Sequence, residues 1–480
     1  MNSPNFQNTY VQLPERFYQA QLPTPVAAPE LIRVNTKLAK QLGVNPGWLT
    51  SAEGISVLAG NQIPTGAAPI ATVYAGHQFG SWNPQLGDGR AVLLGEIVDP
   101  AGARHDIQLK GSGPTPYSRG GDGRAPLGPV LREYIVSEAM AALGIATTRS
   151  LAAVATGEPV YRESELPGAV LTRVAASHIR IGTFEFFAVR KDKPALKLLA
   201  DHVIERHYPA AAEASNPYLG LLEAVIQRVA GLVSDWQCVG FIHGVLNTDN
   251  MLLSAETIDY GPCAFMDTFN PAQVYSSIDR GGRYAYNKQP EIAHWNLMVL
   301  AQSLRPLLHV EQEQAVNLAR GALEAFSIQY HHDYLSGMAG KLGLGQSTLG
   351  DEVLIGDLLG LMATHELDFT RTLRQLSDPQ QHAQLNDACE PWMAKWLERC
   401  SNNDAQQPDY ALMQANNPVC IPRNHLIEAA IDAATDDNDF SAFHELVDVL
   451  AQPYDAQYIG TKFSQPPAVD EIVKHTFCGT

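Results

Sequence analysis

A chain of 480 residues, 45% of them hydrophobic, is long enough to bury a large core and to divide into two or more domains or two large lobes. Its formal charge of -18, from 51 acidic against 33 basic residues, argues against a nonspecific grip on nucleic acid or on an anionic membrane, so any phosphate it binds must meet a local basic pocket. The six cysteines are scattered without a C-x-x-C pair, and no apolar run reaches the ~18 residues of a membrane span. With no basic n-region and apolar h-region in MNSPNFQNTYVQLPERF, the expected location is cytoplasmic.

Residues 1 to about 125 are rich in Gly and Pro and read as sheet and loop. RAVLLGEIV, the turn DPAG and ARHDIQLK predict a β-hairpin, with Ile107 and Leu109 on one face of its second strand and Gln108 and Lys110 on the other. LGPVLREYIVSEAMAALG predicts a helix that Pro129 opens and Gly144 closes. Its apolar stripe of Val136, Met140 and Leu143 runs back to Glu133, and a carboxylate in that position needs a partner. Two strands follow, around TGEP and in PGAVLTRVA. From about residue 191 the texture turns helical: YLGLLEAVIQRVAGLVSDW, AHWNLMVLAQSLRPLL, EQEQAVNLARGALEAF and DEVLIGDLLGLMATHELDF all carry helical spacing. The expected fold class is α+β, with a sheet-rich lobe over residues 1–190, a helical lobe over 191–452 and a tail over 453–480.

FIHGVLNTDNMLL, at the junction, resembles the kinase catalytic loop H-R-D-x-x-x-x-N, with Val245 where the aspartate base stands. If MLL pairs with TID across the turn SAE, Asn250 and Asp259 meet at one open end as hard oxygen ligands for Mg²⁺. The plainer alternative is that both residues only shape turns. Lys110 at a strand end and Glu133 on the next helix repeat the order of the kinase lysine–glutamate pair. QLGDGRAVLL places Gly87, Gly89 and Arg90 at a strand start, where backbone N–H groups can approach phosphate and the guanidinium can fork two oxygens. KGSGPTPYSRGGDGRAPLG is a second glycine-rich loop, with Arg119, Asp122, Gly123 and Arg124, and Arg173 and Arg180 add positive groups near the lobe junction.

Together YAGHQFGSWNPQLGDGRA, QLKGSGPTPYSRGGDGRA, SEAMAALGIATTRSL, PGAVLTRVAASHIRIGTFEFFA and HGVLNTDNMLLSAETIDYGPCAFMD resemble the selenoprotein O (SelO/YdiU) family of protein adenylyltransferases. The resemblance implies a protein-kinase-like fold that binds ATP inverted, so that the α-phosphate faces the acceptor and AMP passes to Ser, Thr or Tyr hydroxyls of protein substrates. UMP transfer from UTP with Mn²⁺ is attributed to some members. It implies nucleotide contacts at Gly87, Gly89, Arg90, Lys110, Asp122, Gly123, Arg173 and Arg180, a proton acceptor at Asp249, and Mg²⁺ or Mn²⁺ ligands at Asn250 and Asp259, with Glu133 in support. It also implies a redox pair between a cysteine after D-Y-G and one near the C-terminus. This chain keeps Cys478 but has Tyr275 at the partner position, with Cys263 nearer Asp259. The competing readings are a small-molecule phosphotransferase, against which Val245 speaks, and a nucleotide-binding pseudokinase scaffold, against which the retained Lys110, Glu133, Asn250 and Asp259 speak.

Overall fold

The computed structural model describes residues 4–401 and 407–477. Strands β1 (Tyr18–Ala20), β2 (Glu30–Val34) and β3 (Ile70–Thr72) come first, and a small separate hairpin, β4 (Gly76–Gln78) and β5 (Ser81–Asn83), follows. β6 (Ala91–Val98), β7 (Arg104–Lys110), β8 (Ala125–Pro126), β9 (Arg149–Tyr161) and β10 (Glu165–Ala175) complete an antiparallel sheet of order β1-β3-β6-β7-β10-β9-β2, with β8 added to β10. The β6–β7 hairpin forms as its sequence predicts, because apolar runs flank a turn in which Gly102 takes φ +89.

The sheet is covered on both faces, which explains why its central strands are buried throughout. Short helices α1 (Thr36–Gln41), α2 (Pro46–Leu49) and α3 (Ala52–Leu58) pack on Ile107, Leu109, Val170 and Val174. Helix α4 (Leu127–Ala142) lies over the other face, toward which Gln108, Lys110 and Arg173 point. It starts two residues before Pro129. The first-turn N–H groups have no intrahelical acceptor, so proline is accepted anywhere in that turn.

Beyond β10 the chain is helical: α5 (Ile181–Val189), α6 (Lys193–His207) and α7 (Pro217–Val239), then, after two-residue strands β11 (Phe241–Ile242) and β12 (Ala264–Phe265), α8 (Gln289–Leu308), α9 (Gln312–Lys341), α10 (Asp351–Thr364), α11 (Phe369–Leu376), α12 (Glu390–Ser401), α13 (Tyr410–Asn416), α14 (Asn424–Asp436) and α15 (Ser441–Leu450). The protein is thus α+β, with a sheet-rich N-terminal region and a helical C-terminal region. In α7 the stripe Leu222, Val225, Val229, Leu232 and Trp236 is buried, and Gly240 ends the helix in the left-handed conformation. The last two helices return to the sheet region, where α14 and α15 pack on α4 and Arg132 pairs with Glu428. Among the described residues no helix is long and apolar enough to cross a membrane.

One local expectation is overturned: MLL does not pair with TID. Ile181 N donates to Met251 O (2.9 Å) and Leu253 N to Ile179 O (2.8 Å), whereas Thr257 N donates to Ala146 O (2.9 Å) and Thr148 N to Thr257 O (2.9 Å). Each arm is only three residues long, so the edges offered by the surrounding fold decide its partner. The turn survives, and it still delivers Asn250 and Asp259 to one cavity.

Candidate active site

Lys110 and Arg173 project from adjacent strands β7 and β10 toward α4, where they meet Glu133. Lys110 Nζ hydrogen-bonds Glu133 Oε2 and lies 3.1 Å from Asp259 Oδ1. Arg173 Nη2 lies 2.6 Å from Glu133 Oε1 and 3.2 Å from Asp259 Oδ1. Two cations therefore alternate with two carboxylates, so the stripe that ended in Glu133 is compensated. Burial alone would push both acids up. Arg173 and Lys110 hold Glu133 below the ordinary carboxylate range, and Lys110, Arg173, Arg180 and Arg90 hold Asp259 well below it. Asp259 adopts φ +69, a left-handed conformation that costs on the order of 1 kcal/mol for a residue with a Cβ and is best tolerated by Asp and Asn.

The loop after β11 is anchored by His243, whose ring meets Ile258 O through Nε2 (2.9 Å) and whose pKa burial pushes down to about 4. Asn250 Nδ2 donates to Val245 O (3.0 Å), which commits the amide nitrogen and leaves the oxygen as its acceptor end. Asp249 Oδ2 accepts from Gln78 Nε2 (3.0 Å), while its Oδ1 is buried without a hydrogen-bond partner. Burial raises the Asp249 pKa to about 6 against the opposing pull of Arg180 and Gln78.

Gln78 belongs to the β4–β5 hairpin, which lies across this loop. Strand alternation turns Gly76 and Gln78 toward Asp249 and His77 away, onto Glu185 (Nδ1 to Oε1, 2.6 Å). A Cβ at Gly76 would stand 2.8 Å from Asp249 Oδ1, so the strand approaches the carboxylate as closely as it does only because residue 76 is glycine. His77 N also donates to Thr248 Oγ1 (2.8 Å) and Phe79 N to Asn247 Oδ1 (3.0 Å). The hairpin, and Gln78 with it, carries no signal of its own in the sequence, since GHQFGSWN is short and its hydrophobicity does not alternate.

Gly87, Gly89, Arg90, Asp122, Gly123, Asp249, Asn250 and Asp259 line one cavity of about 690 Å³, within the size range of small-molecule sites. Lys110, Arg173 and Arg180 stand buried behind its wall. Arg180 is held by Asp249 O, stacks on Tyr74 (4.6 Å) and approaches Asp88 Oδ1 at 3.8 Å. The two glycine-rich loops are clamped to each other: Thr115 Oγ1 donates to Asp88 O (2.7 Å), and Ser118 Oγ donates to Gly89 O. A Cβ at Gly87 would enter the Tyr117 ring, and one at Gly123 would strike Gly113. Asp122 is engaged by Arg162 (2.8 and 3.0 Å), and Arg124 by Thr24 O and Pro25 O (3.0 Å each). Arg90 and Arg119 also line the cavity, Arg119 at φ +50.

Among the described residues no group of three or more His, Cys, Asp or Glu is arranged to hold a metal ion. A cation between Asn250 and Asp259 would draw its remaining ligands from a nucleotide and water, as Mg²⁺ commonly does. Tyr275 is buried, and its carbonyl accepts from Thr476 N (2.8 Å), which docks the tail on the segment after D-Y-G. Cys263 is buried as well, and Cys478 lies outside the described residues.

A family described as Protein adenylyltransferase SelO matches residues 1–451. The chain is 56% identical, over 99% of both sequences, to the protein nucleotidyltransferase YdiU of Bradyrhizobium diazoefficiens and to that of Rhodopseudomonas palustris (strain BisB18). It is 53% identical to that of Rhizobium johnstonii, over 99% of this chain and 97% of the relative. With near-complete coverage at this identity, the chain belongs to the SelO family of protein adenylyltransferases.

Proposed function

We propose that the protein transfers AMP from ATP to Ser, Thr or Tyr hydroxyls of protein substrates, on a two-lobed protein-kinase-like scaffold that binds the nucleotide inverted. The observation that carries this reading is the pairing of Val245, whose aliphatic side chain has no atom able to accept a proton, with Asp249, a buried carboxylate that lines the same cavity and whose Oδ1 has no hydrogen-bond partner. A kinase geometry would need its base at 245; a displaced acceptor site can use 249. The relatives' activity, protein nucleotidyl transfer, agrees with that displacement.

In this mechanism the acceptor oxygen attacks the α-phosphorus, Asp249 Oδ1 takes the hydroxyl proton, and pyrophosphate leaves. Gln78 holds Oδ2 and so fixes the orientation of the carboxylate. Asn250 and Asp259 would hold Mg²⁺ or Mn²⁺; their donors fit, one a carboxylate kept ionised by its neighbours and the other an amide oxygen whose nitrogen is already committed. When bound, the cation would supply charge stabilisation to the phosphates. Arg90 and the backbone around Gly87, Gly89 and Gly123 contact the polyphosphate, and Lys110, Arg173 and Arg180 add positive potential from behind the wall. Glu133 keeps Lys110 and Arg173 in place.

The test compares ATP labelled at the α-phosphate with ATP labelled at the γ-phosphate, each with Mg²⁺ or Mn²⁺ and a protein acceptor, and repeats the α arm with UTP. Label from α alone is expected. Label from γ alone would make the protein a kinase and overturn the reading. Asp259→Ala should abolish metal-dependent transfer, and undiminished activity in that variant would remove Asp259 from the metal site.

A further inference from the structure

Gln78 and Phe79 of the β4–β5 hairpin, and Ile278 at the start of a segment running to Arg283, line the cavity that Asp249 also lines. Phe79 and Ile278 both line the cavity, and Ile278 is 61% exposed. The Phe79 ring packs 5.1 Å from that of Tyr284, so the two pieces form one continuous rim.

This rim is basic in a chain of net charge -18. Arg280 is exposed. Arg283 lies beside Gly80 at the hairpin turn, with its guanidinium 4.9 Å from the Trp295 ring and its Nε buried without a hydrogen-bond partner. Arg190 is exposed at the far strand, where it donates to Pro84 O (3.2 Å). Asp279, the acid between them, turns its carboxylate into its own loop, accepting from Arg283 N (3.0 Å) and Tyr284 N (2.8 Å). Elsewhere on this protein arginines are commonly matched with carboxylates: Arg33 with Asp448, Arg162 with Asp122, Arg399 with Asp351. Among the described residues Arg190, Arg280 and Arg283 form no ion pair with a carboxylate. Cations without a carboxylate partner, flanking a cavity edge that carries the exposed Ile278 and the half-buried Phe79, are complementary to a negatively charged chain.

We propose that this rim is the acceptor-docking surface, and that it selects polypeptide segments carrying Asp or Glu next to the modified hydroxyl, with an apolar neighbour seated on Ile278 and Phe79. The proposal rests on the nucleotidyl-transfer reading and names its substrate class.

The test uses the full chain with α-labelled ATP and three peptides of one length, each with a central Ser, Thr or Tyr and a hydrophobic neighbour, flanked by Glu, Ala or Lys. The Glu peptide should exceed the Lys peptide in kcat/KM by about fivefold or more, mostly through KM, because exposed charge pairs contribute modestly and additively. The preference should shrink at high salt. Arg280→Glu should weaken it and Arg280→Lys should keep it; position 280 is exposed, so neither change threatens folding. Equal use of the three peptides, a Lys preference, or label on the enzyme itself but on no peptide would overturn the docking proposal and leave nucleotidyl transfer standing. Absence of α-label from every acceptor, the enzyme included, would overturn both.

Discussion

Asp249 meets two opposed demands, since a carboxylate must be ionised to accept a proton and yet burial penalises its charge. Its pKa of about 6 predicts that kcat/KM falls on the acid side with a midpoint near pH 6, well above the range of an ordinary carboxylate. A profile that stays flat down to pH 5 would remove Asp249 from the proton-accepting role. The same burial has a stability consequence whose sign is fixed. The folded state raises this pKa, so ionisation opposes folding, from nothing below the unfolded value near 4 to its full extent above pH 6. Asp249→Asn should therefore abolish most transfer yet be more stable to unfolding than the parent at pH 8, by on the order of 1–3 kcal/mol, with the gap closing at pH 4. Gln78 acts only through Asp249. Gln78→Ala should lower kcat by about tenfold to a hundredfold with KM for ATP unchanged, as a carboxylate free to rotate spends less time aimed at the acceptor. A change confined to KM would show that Gln78 binds nucleotide instead.

At the scale of elements, the close approach of β4 to the loop carrying Asp249 gives a test that leaves every functional group in place. Gly76→Ala adds one methyl 2.8 Å from Asp249 Oδ1 and 3.1 Å from its Cγ, at a residue whose backbone is not in the left-handed region. The side chain must move, so kcat should drop by at least tenfold while ATP affinity and far-UV circular dichroism stay close to the parent's. Full activity in that variant would mean the hairpin sits farther from the loop than it does here. This hairpin also marks the boundary of what was legible in the sequence. The β6–β7 hairpin could be read because a mostly apolar run of eight residues and a seven-residue segment in which Ile107 and Leu109 alternate with polar residues flank a Pro-Gly turn, and α4 and α7 because their stripes repeat over several turns. Lys110, Glu133, Asn250 and Asp259 could be read from their order along the chain. GHQFGSWN has neither length nor alternating hydrophobicity, and its strands are held by the loop beneath through Thr248 and Asn247. Likewise, nothing within MLL or TID states that one pairs with Ile179 and Ile181 and the other with Ala146 and Thr148. Where the partner is chosen by tertiary contact, local pattern is silent.

At the scale of the molecule, the site depends on helices that arrive nearly three hundred residues after Glu133, a dependence no local motif announces. Arg423, only 1% exposed, pairs with Asp267, in the segment after D-Y-G, and with Asp368 (2.8 Å), which caps α11 by accepting from Arg371 N (2.7 Å). The next residue, Asn424, begins α14, and α14 and α15 pack on the back of α4, whose opposite side presents Glu133 to Lys110 and Arg173. One guanidinium thus joins the loop that follows Asp259 to the helix that supports the charge cluster. Arg423→Ala would leave two partly buried carboxylates facing each other with no cation between them, a loss of up to about 3 kcal/mol. Much of that loss is the repulsion and desolvation of the acids left behind rather than the absent contact, and this makes the argument testable beyond a fall in melting temperature. Adding Asp267→Asn to Arg423→Ala should recover part of the stability, and more than the same change gains in the parent, where burial and Asp368 raise the Asp267 pKa but Arg423 offsets part of that cost. Urea unfolding of the four proteins in that cycle measures the coupling. If the double variant is as unstable as the sum of the singles, the three groups do not act as a unit, and the packing of α14 and α15 on α4 must hold the site without them.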